Sequence, residues 1–163
     1  MVQFVKMRCD LTRCNIGAAE IPAEISIVAI ATVPVEEVYQ CYHAAFDAGD
    51  AQFFFEQTPQ QRRAFFDTLG LEQASSEPAS VALIHATRVI GFSLVLAYGE
   101  PANRHISCMC IDPAFQGRGL GRQLLWVIMH RVKASGGCSI TLGTEPGMRA
   151  FALYQSAGFA IIA

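Results

Sequence analysis

Apolar and polar positions change period several times along this chain, and each change marks an element. Residues 25–31, ISIVAIA, form a short apolar, β-branched run that reads as a strand. Beyond Pro34, Val35, Val38, Tyr39, Tyr42 and Phe46 recur at helical spacing until Gly49-Asp50 closes the helix. Residues 58–61, TPQQ, join an N-cap threonine, a proline at the first helical position and a glutamine able to complete a capping box. They predict a second helix running to about residue 69 and stopping at Gly70. Residues 80–85 and 89–98 read as two strands joined around Ala86-Thr87-Arg88, where no Asn-Gly pair fixes the turn type. Another strand, 104–111, ends at Asp112-Pro113. Leu120, Leu124, Val127, Ile128 and Val132 then make one helical face closed by Gly136-Gly137. A strand at 138–142 and a short helix at 148–157, ended by Gly158, complete the pattern. The order β-α-α-β-β-β-α-β-α predicts a mixed α/β layered domain, with 103–142 a βαβ unit whose strands are parallel or splayed apart.

Composition narrows the class. With 163 residues, of which 52% are hydrophobic and 16% charged, the chain is long enough to bury a core as a single domain over 1–163. No apolar run reaches the ~18 residues of a membrane span, and the first residues lack the continuous apolar region of a secretory signal. A net charge of -2 with scattered basic residues argues against a nucleic-acid partner. Cys9, Cys14, Cys41, Cys108, Cys110 and Cys138 include no CxxC pair. They read as small buried hydrophobes in a reducing cytoplasm rather than as a metal or redox site.

The chemistry concentrates at residues 110–125, CIDPAFQGRGLGRQLL. Gly117, Gly119 and Gly121 stand directly between a strand and a helix. Glycine lets backbone N–H groups turn inward, and together with the helix's positive end they form a nest for an anion such as a pyrophosphate. Arg118 and Arg122 add charge at the rim; a plain glycine-rich turn is the bland alternative. A dinucleotide fingerprint fails because Arg122 occupies its third glycine position, and no Gly-Lys-Ser/Thr is present for a P-loop.

Gln116, Gly119 and Gly121 do fit Gln-x-x-Gly-x-Gly, which resembles the acyl-CoA pyrophosphate loop of the GNAT superfamily of N-acyltransferases. An apolar strand ending CIDP precedes it and an amphipathic helix follows. Further on, MRAFALYQSAGF is similar to the family's second signature, A-x-x-L-Y-x-x-x-G-F, through Ala150, Leu153, Tyr154, Gly158 and Phe159. The resemblance covers residues 25–159 and is stronger after Ser80.

The resemblance implies a mixed, mainly antiparallel sheet flanked by helices, with a splayed parallel strand pair forming a V-shaped slot. In that slot the backbone of Met109, Cys110 and Ile111 would contact pantetheine. The amides of Gln116, Gly117, Arg118, Gly119, Leu120, Gly121 and Arg122 would take the pyrophosphate of acetyl-CoA, used as cosubstrate without a metal. Tyr154 matches the family's general acid, although on spacing alone it reads as a core tyrosine. His105 stands where some members carry a base, with an ordinary strand-end histidine as the equal alternative and Glu100 or solvent as substitutes. His43, His85 and His130 read as structural or exposed. The implied reaction is direct transfer of an acetyl group to a primary amine of a small molecule or peptide, in a ternary complex. A non-catalytic acyl-CoA-binding sensor or interaction module is the alternative.

Two features depart from the family pattern. An asparagine that often helps to bind CoA is Gly147 here, leaving Thr144 or Arg149 to replace it. The family also continues through two more strands where residues 159–162 supply one stub. Residues 1–24 are an atypical extension, and residues 2–8, VQFVKMR, alternate like a family C-terminal strand. They are expected to take that strand's place, within the chain or across a homodimer, with an extra strand or a leader as the plain alternative. Residues 51–80, with Phe53, Phe54, Phe55, Phe65 and Phe66, wall the acceptor site or fill the core.

Overall fold

The computed structural model describes residues 2–162. Seven strands form one sheet: β1 (Val5–Asp10), β2 (Ser26–Ala29), β3 (Val81–His85), β4 (Arg88–Ala97), β5 (Asn103–Ile111), β6 (Ser139–Thr144) and β7 (Ala160–Ile162). Their spatial order is β2-β3-β4-β5-β6-β1-β7. Every neighbouring pair is antiparallel except β5 with β6, which are parallel. The helices are α1 (Val35–Asp47), α2 (Gln52–Phe55), α3 (Pro59–Asp67), α4 (Leu71–Ala74), α5 (Leu120–Ala134) and α6 (Arg149–Ser156). None is long and apolar enough to cross a membrane, among the described residues.

Two cores cover the two faces of the sheet. On one, Leu124, Leu125 and Ile128 of α5 pack on Val81, Ile90 and Ile140. On the other, Val38 and Tyr42 of α1 join Phe54, Phe66, Phe92 and Leu94. Strand β4 runs between them and is buried from Val89 to Val95, so it reads as a continuous apolar run rather than an alternating one. The capping box of α3 is present in both directions. Gln61 N–H donates to Thr58 Oγ1 (3.2 Å), and Thr58 N–H donates to Gln61 Oε1 (2.8 Å). The turn between β3 and β4 is a two-residue one with Ala86 and Thr87 both at positive φ (47° and 67°).

The apolar run expected to be a strand over 25–31 is shorter, because its pairing with β3 ends at Ala29 and Ile30–Thr32 turn as a 3-10 helix. Helices α2 and α4 have four residues each, too short to show a period in the sequence. The amino-terminal strand is displaced to Val5–Asp10 and buries Met7 and Cys9 (both 0% exposed), with Leu11 just beyond it also buried (1%). It is hydrogen-bonded on both sides within the one chain. Val5 lies opposite Thr144 and Asp10 opposite Ser139 on β6, while Lys6 to Arg8 pair with Ile162 to Ala160 on β7.

Candidate active site

The site begins where the parallel pair stops. Strands β5 and β6 are in register only from Asn103–Ser139 to Ile106–Leu142. At Ser107 the pairing of β5 with β4 also slips: Val95 faces Ile106 but Leu94 faces Cys108. That bulge turns the rest of β5 away from β6, so the backbone of residues 107–111 lines a gap on its β6 side. The gap opens into a cleft of ≈ 390 Å³. Of the residues expected to bind cofactor, Met109, Cys110, Ile111, Gln116, Gly117, Gly119, Leu120, Gly121 and Arg122 line it; Arg118 does not. The Arg118 guanidinium lies 5.3 Å from the Phe115 ring instead.

The glycine loop forms the mouth of this cleft. Gly117 and Gly119 have φ of 77° and 78°, and a Cβ on either would meet nothing within 4 Å. Glycine is therefore required by backbone conformation, and the space over each backbone is open. The first intrahelical bond of α5 runs from Gln123 N–H to Gly119 O (3.1 Å), leaving the earlier N–H groups without helical partners at its positive end. Gln116 holds the loop down, its Nε2 donating to Ile111 O (2.8 Å). An unpaired strand edge, a glycine turn and free helix N–H groups, along one cleft, suit a chain of amides ending in a diphosphate.

A second cavity, ≈ 120 Å³, adjoins the first. Phe46, Met109, Met148, Ala150 and Tyr154 line both, so Tyr154 stands where the two meet. Phe53 and Phe65 wall this second cavity, whereas Phe54 and Phe66 are core and Phe55 is exposed. Phe4, just before β1, packs on Phe53 with ring centroids 5.4 Å apart. Two carboxylates hold that wall, and neither was legible in the sequence. Glu145 accepts from Gln52 N–H (2.8 Å) and Phe53 N–H (3.1 Å), fastening α2 to the end of β6. Asp50 accepts from Arg149 N–H (2.9 Å), fastening the start of α6 to the loop after α1. Gly147 lines neither cavity, while Arg149 lines the cleft and Thr144 the smaller cavity.

The ionisable groups divide clearly. Burial pushes the Tyr154 phenol far above its ordinary pKa, with the Cys108 and Cys110 thiols as lesser influences, so it is protonated at any working pH. Burial, reinforced by bonds with Cys108 and Cys41, likewise keeps the Cys110 thiol neutral. Tyr42 is fully buried, and its hydroxyl finds no partner among the described residues. His105 sits on β5 opposite Thr141, with Nδ1 3.0 Å from Thr141 Oγ1 and its ring 5.1 Å from that of Tyr98. It lies two residues before Ser107, outside the lining of both cavities. Burial, helped by Lys6, holds its pKa below the ordinary 6.5. Glu100 is exposed in the turn before β5 and touches neither cavity. His43 packs by Phe54, His85 by Phe115, and His130 Nε2 bonds Gly17 O (2.7 Å).

Residues 35–159 match the model of the acetyltransferase (GNAT) family. A mycothiol acetyltransferase of Kocuria rhizophila is 28% identical over 92% of this chain and 52% of its own length. One of Nocardia farcinica is 32% identical over 76% of this chain and 41% of its own. A GCN5-related N-acetyltransferase from Sphaerobacter thermophilus shares the fold with a TM-score of 0.69 at 17% identity, over 98% of this chain and 48% of that one. The chain spans between 37% and 52% of the length of the curated relatives it matches. It belongs to the GNAT acetyltransferase family.

Proposed function

We propose that this GNAT-family chain transfers an acetyl group from acetyl-CoA to a primary amine of a small molecule. The observation that carries the reading is the position of Tyr154, shared by the long cleft and the smaller cavity beside it. The names of the two mycothiol acetyltransferases support a small-molecule acceptor. Acetyl-CoA would supply an acetyl group activated as a thioester. Its pantetheine arm suits the free edge of residues 107–111, and its pyrophosphate suits the amides of Gly117, Gly119, Leu120 and Gly121.

Each protein group then has one task. Tyr154, neutral and buried, donates its hydroxyl proton toward the sulfur as negative charge develops there. His105, held neutral by its surroundings, takes the proton that the attacking amine must lose, through water because it stands outside the cavity. The buried Cys110 thiol stays protonated and is a poor nucleophile. Direct attack by the amine is therefore favoured over an acetyl-cysteine relay.

Thiol release from acetyl-CoA, followed with and without added amines, tests the reading. Tyr154→Phe should lower kcat about a hundred-fold while changing CoA affinity less than about two-fold, the signature of a proton donor rather than a binding contact. Equal loss in kcat and in CoA affinity would make Tyr154 a packing residue. Unchanged turnover would remove it from the mechanism.

A further inference from the structure

Among the described residues, the smaller cavity is lined without a formally charged side chain. Its walls are Phe46, Phe53, Phe65, Leu69 and Leu142, and its polar groups are largely engaged. Ser107 Oγ donates to Leu69 O (2.7 Å), and Thr144 Oγ1 points to Glu145 O at 3.5 Å. Tyr42 retains a free hydroxyl, but it is sealed in the wall. Lys6, opposite Gly143 across β1 and β6, turns to the Tyr98 ring (5.8 Å) outside the lining, and the Glu145 carboxylate beside Thr144 is engaged by the N–H groups of Gln52 and Phe53. A polycation would find no carboxylate in this lining to pair with, and a sugar amine would bury hydroxyls without partners. Apolar cavities of about 150 Å³ take up a single benzene ring.

Gly143, on β6, lines this cavity and is exposed, so it stands at its opening. A Cβ there would meet nothing within 4 Å, and its φ is not left-handed. Neither conformation nor packing within the fold requires glycine at this point of a strand, where a β-branched residue would ordinarily be preferred. The missing side chain leaves the opening of the cavity wide.

We propose that the acceptor is a primary amine carried on one compact apolar group, an aryl or branched alkyl chain, and that Gly143 sets the size it can have. This rests on the acetyl-transfer reading above. The apolar group sits among Phe46, Phe53, Phe65 and Leu69. The amine faces Tyr154, where the cavity meets the cleft.

The test uses the 163-residue chain with 2-phenylethylamine, spermidine and glucosamine as acceptors. The expected result is a kcat/KM for 2-phenylethylamine at least about ten-fold above the other two, the scale on which apolar pockets discriminate. Gly143→Val should raise the KM for 2-phenylethylamine about ten-fold or more, by narrowing the opening. It should leave CoA affinity and melting temperature unchanged, and Gly143→Ala should fall between. Preference for spermidine or glucosamine overturns the proposal, as does a Gly143→Val enzyme with unaltered amine KM. Calorimetric titration of 2-phenylethylamine and of CoA separates the two levels of the account. A protein that binds CoA but neither binds nor acetylates 2-phenylethylamine refutes the acceptor class alone. A protein that binds 2-phenylethylamine in a Gly143-dependent way, yet not CoA, refutes the acetyl-transfer reading and keeps the pocket.

Discussion

At the scale of single residues, protonation states decide what the site can do, and His105 offers the sharpest check. Protonating it would place a second cation near Lys6 in a half-buried position, so the neutral form is favoured and the pKa lies below 6.5. The base form consequently survives to lower pH than in a free imidazole. The acid limb of kcat/KM should have its midpoint below 6.5, with activity lost as pH falls through it. His105→Gln should abolish that limb and lower turnover about a hundred-fold. An acid limb unchanged in the variant would assign it to another group. Tyr154 is singled out only by the resemblance, whose motif is local: Leu153, Gly158 and Phe159 surround it in sequence, while spacing alone reads it as a core tyrosine. The contacts of His105 with Thr141 and Tyr98 were not legible, since they cross strands, and Glu145 gave no signal because its partners are backbone N–H groups over ninety residues away.

At the scale of elements, the glycine loop and the start of α5 work as one unit. Gly119 is the N-cap of that helix in the left-handed region, where an L side chain costs about 1–2 kcal/mol. Gly119→Val should therefore lower stability by about that amount. Its CoA affinity should fall further, by about ten-fold or more, because the side chain projects into the space above the loop. Stability loss with intact CoA affinity would mean the loop is only a turn. Long elements with a buried stripe, α1 and α5, declare themselves through spacing. Helix α2 does not: Phe53, Phe54 and Phe55 are consecutive, and only packing separates a cavity wall, a core residue and an exposed ring. The bulge at Ser107 was equally silent, because pairing with two neighbours fixes it rather than residue type.

At the scale of the molecule, the sheet is completed by its first strand. Alternation in residues 2–8 hinted at a strand, but its place between β6 and β7 is a tertiary fact, set by the burial of Met7, Cys9 and Leu11. Met7→Ala should cost about 2–5 kcal/mol in denaturant unfolding. Removing residues 1–12 should abolish the cooperative transition, since it uncovers both β6 and β7. A truncated chain that still unfolds cooperatively would show the strand to be dispensable. The same strand brings Phe4 to the rim of the smaller cavity, so folding and the proposed acceptor site share an element. The central claim is that the cleft between the splayed strands holds the acyl donor. Calorimetric titration of acetyl-CoA into the folded chain tests it most directly. The account predicts one site of micromolar affinity that free CoA also occupies. No binding by a protein with an intact unfolding transition would contradict it.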